Sequence, residues 1–151
     1  MAVGNDPLRA VQQMYLQGQG TARFHTYVKD YAPLTGNAVL TNEQITCDRD
    51  GYFFLERLAA VSTSTFRFTL QDVSGQPYSS VGTGVTGGNA RVRNACIFGT
   101  ASEPFILGVP IVFMPRGVIG WQIEDTSGAS NTIHIDFIGF LFYPDTDPRG
   151  N

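Results

Sequence analysis

Three stretches of this 151-residue chain alternate apolar and polar side chains so regularly that only β-strands let them bury one face. In Thr65-Phe66-Arg67-Phe68-Thr69-Leu70-Gln71, the residues Phe66, Phe68 and Leu70 point one way and Arg67, Thr69 and Gln71 the other. Ile119, Trp121 and Ile123 repeat the pattern against Gly120, Gln122 and Glu124. Ile133, Ile135 and Phe137 do so against Thr132, His134 and Asp136. A helix would scatter these residues around its circumference. The run Phe140-Leu141-Phe142-Tyr143 is apolar on both faces, the pattern of a strand covered from both sides. Further strands are predicted at Arg23 to Lys29, Ala38 to Thr46, Tyr52 to Val61, Val92 to Phe98 and Pro110 to Met114.

Turn chemistry separates these segments. The 17 Gly and 8 Pro make turns frequent and long helices improbable. Asp50-Gly51 reads as a tight turn, Ser74-Gly75-Gln76-Pro77 as a loop, and Asp125-Thr126-Ser127-Gly128 as a hairpin connection. The Ser-, Thr- and Gly-rich stretch from Tyr78 to Ala90 reads as one long surface loop. Roughly eight short strands joined in this way predict an all-β chain folded as an antiparallel β-sandwich. Periodicity alone leaves jelly-roll and immunoglobulin-like versions open.

Residues 1–20 follow a different rule. Asp6 before Pro7 is a helix start, with Leu8, Val11, Met14 and Tyr15 at helical spacing and Gly18 and Gly20 as the stop. A helix this short is marginal alone in water. It must therefore dock on its own domain or act as an arm that grips a neighbour. In the second case Leu8, Val11, Met14 and Tyr15 are the partner-binding residues. The chain divides into an N-terminal helical or extended arm, 1–20, and a sandwich domain, 21–151.

Charge excludes several functions. Ten basic and thirteen acidic residues give a net charge of -3, which disfavours nucleic-acid binding driven by counterion release. Only 15% of residues are charged while 42% are hydrophobic, which excludes intrinsic disorder. The N-terminus lacks the apolar core of a signal peptide, and the longest apolar stretch is too short to cross a bilayer, so no membrane partner is expected. Cys47 and Cys96 belong to no C-x-x-C pair and read as reduced, buried thiols of a protein made in a cytoplasm.

No constellation with chemistry emerges. Gly82-Thr83-Gly84-Val85-Thr86-Gly87 matches G-x-G-x-x-G, but strand-like residues follow where a nucleotide site needs a helix. His134 shares a strand face with Asp136, so the two can meet, yet no nucleophile elbow accompanies them. That pair reads as a polar outer face or subunit contact. His25 and His134 lack metal-ligand spacing. Asp48-Arg49-Asp50-Gly51 lacks the remaining ligands of a calcium loop, and Asp145-Thr146-Asp147-Pro148 reads as a frayed tail. Glu124 and Asp125 fall on opposite strand faces, unsuited to a glycosidase pair. Tyr27, Tyr31, Tyr52, Tyr78 and Trp121 could include a stacking platform for a sugar. The expectation is a non-enzymatic protein with no cofactor and no metal.

The C-terminal half carries a family likeness. It runs Asn94-Ala95-Cys96-Ile97-Phe98-Gly99-Thr100, Pro104-Phe105, Pro110-Ile111-Val112-Phe113 and Pro115-Arg116-Gly117. It continues Trp121-Gln122-Ile123-Glu124-Asp125, Asn131-Thr132-Ile133-His134-Ile135 and Gly139-Phe140. Over about residues 50 to 143 this resembles small structural proteins of tailed bacteriophages, and in plan it is similar to capsid cement or decoration proteins, with an arm ahead of a jelly roll. The resemblance implies a jelly-roll sandwich on the capsid exterior of the virion. There it would bind over joints between copies of the major capsid protein, stabilise the head and self-associate as a homotrimer. A tail, neck or spike component with a receptor- or carbohydrate-binding role is the alternative.

Overall fold

Asp6 starts the first element as its position before Pro7 predicts: its Oδ1 accepts the Leu8 N–H at 3.1 Å. Helix α1 (Pro7–Leu16) ends in a left-handed stop at Gly18, with φ 69°. There Gly18 N–H bonds the Tyr15 carbonyl at 3.1 Å and Gln19 N–H the Met14 carbonyl at 2.9 Å. The computed structural model describes residues 6–72, 92–100 and 102–149.

Among the described residues eight strands follow. They are β1 (Gly20–Leu34), β2 (Val39–Thr46), β3 (Tyr52–Ser62), β4 (Phe66–Gln71), β5 (Val92–Arg93), β6 (Phe105–Phe113), β7 (Val118–Asp125) and β8 (Asn131–Pro144). A single helical turn, α2 (Asn94–Ile97), separates β5 from β6. One sheet has the order β1-β8-β3-β6 and the other β2-β7-β4-β5. The order contains four nested antiparallel partnerships, β1 with β8, β2 with β7, β3 with β6 and β4 with β5. A long two-stranded ribbon rolled up on itself produces this arrangement, the eight-stranded jelly roll.

The alternating residues fill the space between the sheets. Phe66, Phe68, Ile119, Trp121, Ile123, Ile133, Ile135 and Phe137 are all fully buried there. Trp121 packs on Phe137 with ring centroids 5.1 Å apart, and its indole N–H donates to the Tyr31 hydroxyl at 3.0 Å. That hydroxyl in turn donates to Glu43 Oε1 at 2.7 Å, so the core's one indole is satisfied through a relay to the edge strand β2.

Asp125 closes one end of the sandwich. Its buried carboxylate accepts the backbone N–H groups of Asn37 (2.9 Å) and Gly128 (3.0 Å). It also accepts the Ser127 hydroxyl (2.7 Å) and the Asn131 amide (3.2 Å). Burial alone would push its pKa up. The donors outweigh burial and hold the carboxyl down at about 2. The Asp125-to-Gly128 hairpin joins β7 to β8 as its turn residues predict.

Three expectations are corrected. The strand predicted at Val92 to Phe98 lasts two residues, because the Asn94 side chain accepts the Phe66 N–H at 3.3 Å. That donor would otherwise meet the carbonyl of a continued β5 strand. The strand predicted to start at Pro110 begins at Phe105 and pairs with β3 on both sides of an irregularity. The tail is tied down: Asp147 accepts the Arg149 guanidinium at 2.6 Å and the Tyr52 hydroxyl at 3.2 Å, and Asp145 N–H bonds the Gln19 carbonyl at 3.1 Å. The loop from Tyr78 to Ala90, with its glycine motif, and the Ser74-to-Pro77 loop lie outside the described residues.

Candidate interaction surface

Strand pairing lines up the outward side chains of the β1-β8-β3-β6 sheet in rows. One row runs Phe24, Phe140, Phe54 and Val112, and the next Thr26, Ile138, Arg57 and Ile106. Then come Val28, Asp136 and Ala59, and finally Asp30, His134 and Val61. The step from Phe54 to Arg57 passes a bulge, since Leu55 faces Gly139 and Arg57 faces Ile138. Gly139 is required there because a Cβ would collide with the Phe54 carbonyl.

Helix α1 covers the upper part of this face. Val11 is fully buried among Tyr52, Phe54, Phe140 and Phe142, with Leu8 and Met14 packed alongside. The Tyr15 ring lies 4.7 Å from Phe140, 5.2 Å from Phe54 and 5.6 Å from Phe142, centroid to centroid. The doubly apolar run Phe140-Leu141-Phe142-Tyr143 is explained: Leu141 and Tyr143 face the core, Phe140 and Phe142 the helix. Leu8, Val11, Met14 and Tyr15 are therefore engaged with the chain's own sheet.

Below the helix several apolar side chains of this face are exposed, although Ala59 among them is buried. Phe24 is 79% exposed at the helix border, and Val61 and Ile106 are each 65% exposed. Val28 also projects into solvent, as does Leu16 from the last turn of α1. Between Val28 and Val61 sits a polar centre. His134 Nδ1 faces Asp30 Oδ1 at 2.5 Å and its Nε2 faces Asp136 Oδ1 at 3.0 Å. The hydrogen bond to Asp30 leads in raising the His134 pKa, and both carboxylates favour the imidazolium, which donates from both nitrogens.

The remaining candidates serve the fold. Tyr31, Tyr52 and Trp121 are buried, so they form no exposed sugar platform. Tyr27 is half-buried, edge-on to Phe53 at 4.8 Å, with its hydroxyl accepting the Asp48 N–H at 2.8 Å; Tyr78 lies outside the described residues. Cys47 is a free, buried thiol, and burial leads in pushing its pKa up to about 12. So raised, it is protonated and a poor nucleophile. The Cys96 side chain lies outside the described ones. His25 packs edge-on to Tyr27 at 4.5 Å and lies 4.0 Å from Asp48. Among the described residues no group of three or more His, Cys, Asp and Glu is placed to hold a metal ion.

Sequence reasoning placed His134 beside Asp136 but missed Asp30, which arrives from another strand. It also missed Phe24, Val28, Val61 and Ile106, because alternation forecasts a polar exterior. No family model, curated protein or solved structure matches this chain.

Proposed function

We propose that this protein is a non-enzymatic structural protein that docks on other protein subunits through exposed apolar side chains on the lower half of its β1-β8-β3-β6 face. The observation carrying the reading is the row-wise exposure of Phe24, Val28, Val61 and Ile106 on a rigid sheet. Covering apolar surface contributes roughly 25 cal/mol per Å², and a large exposed apolar patch on a soluble domain marks a contact site. The Asp30–His134–Asp136 centre lies amid this apolar surface and would set the register of a partner more than the affinity.

Following the resemblance of its strand-and-turn pattern, the partner is the major capsid protein of a tailed bacteriophage. The chain then acts as a cement or decoration protein on the capsid exterior, associating with itself as a homotrimer. The docked helix alters how that role is played. α1 shields the upper face and leaves Tyr15 and Leu16 at the rim of the contact.

Phe24→Glu combined with Val61→Glu tests the reading, because both side chains are exposed and neither supports the core. The expected result is an unchanged Tm with loss of the chain from purified particles. Undiminished copy number per particle refutes the docking surface.

A further inference from the structure

We propose an oxyanion-binding site on the other sheet, built by the cross-strand pair Arg67 and Arg93. This site is independent of the docking face. The two arginines occupy directly paired positions of β4 and β5. Like charges placed opposite one another across an antiparallel pair repel. The ion pairs within 4.0 Å among the described residues involve neither Arg67 nor Arg93. Glu124 faces Arg67 from the β7 side, so the net positive charge of the pair is carried mainly at Arg93.

The surroundings of the pair are selective for an anion. Arg67 and Arg93 line an open cleft of about 450 Å³ together with Thr65, Asn94 and Thr126. The Asn94 Oδ1 is occupied by the Phe66 N–H at 3.3 Å, which leaves its Nδ2 group as a donor. The Thr65 and Thr126 hydroxyls are 3.0 Å apart and add a further O–H. Two arginines and an amide NH₂ thus line one cleft. The chemistry that fits is a doubly charged oxyanion, a phosphate or sulfate group, which offers acceptors to both guanidinium forks and cancels their repulsion.

Thermal unfolding and calorimetric titration of the intact chain, with sodium phosphate or sodium sulfate replacing chloride at constant ionic strength, test the site. The expected result is a saturable rise in Tm and measurable binding of inorganic phosphate. Arg93→Gln and Arg67→Gln should each weaken that binding at least about tenfold. Arg93 is exposed, and Arg93→Gln relieves the like-charge pair, so its Tm without the anion should equal or exceed that of the wild type. A sulfated or phosphorylated oligosaccharide forms a second arm. Tighter binding than the inorganic ion assigns the group to a larger ligand, and equal binding assigns the free ion; both support the site. Absence of a saturable response to all of these probes overturns it, as does a response in both glutamine variants equal to that of the wild type.

Discussion

Val11→Ala isolates the contact between α1 and the sheet. Val11 is fully buried against Tyr52, Phe54, Phe140 and Phe142. Removing its two methyl groups forfeits about 0.8 kcal/mol each in transfer free energy, and the space left behind raises the total to about 2–2.5 kcal/mol. For a chain of this length, each kcal/mol moves Tm by about 2–4 °C, so a fall of about 4–10 °C is expected in calorimetry. Phe140→Ala should cost about 3–5 kcal/mol alone, and the double variant should depart from additivity by at least about 0.5 kcal/mol, because the two groups pack in one cluster. An intramolecular contact also makes each shift independent of protein concentration. A Tm loss below about 1 °C, or one that grows on dilution, would place the helix on a neighbouring molecule and refute its docking on the chain's own sheet.

Three other perturbations address the frame and the polar centre. Asp125→Asn replaces an acceptor of four hydrogen bonds by a group that brings its own donor, and should cost about 2–4 kcal/mol in urea denaturation. In the wild type, the folded pKa of Asp125 lies below its unfolded value. Its stabilisation is thus present above pH about 4 and lost as pH falls toward about 2, a loss that acid titration of the asparagine variant should not show. His134 behaves in the opposite sense. Its raised pKa means that its contribution is complete below pH about 6.5 and disappears as pH rises through the folded value. His134→Gln should flatten the neutral-to-alkaline slope of Tm against pH. Tyr31→Phe leaves the Trp121 N–H unpaired in the core and should cost about 1–3 kcal/mol, followed by the fluorescence of the single tryptophan.

What could be read from the chain depended on how local the controlling contacts are. The alternations of β4, β7 and β8 are properties of five to seven consecutive residues, and the structure has them as strands. Asp6, Pro7 and Gly18 bound α1 through bonds within a few residues of themselves. Two matching signals were also visible: an apolar stripe on the helix and a run from Phe140 to Tyr143 with apolar residues on both faces. Nothing local says that these surfaces meet, since their contact spans most of the chain. The same reason hid the end of β5, which depends on Asn94 reaching Phe66 across a strand pair. It also hid Asp30, which meets His134 only through the β1–β8 register. The exposed apolar side chains of the half-face were illegible for a different reason. Val28 and Val61 satisfy β-propensity wherever they point, so their exposure follows from where the helix stops.

Electron cryomicroscopy of purified phage particles is the decisive measurement for the proposed docking face. On the proposed capsid role, jelly-roll density is expected on the capsid exterior, with Phe24, Val28, Val61 and Ile106 against a neighbouring subunit and α1 still seated on its own sheet. Particles that lack the chain, or that carry it with this face turned to solvent, would contradict it.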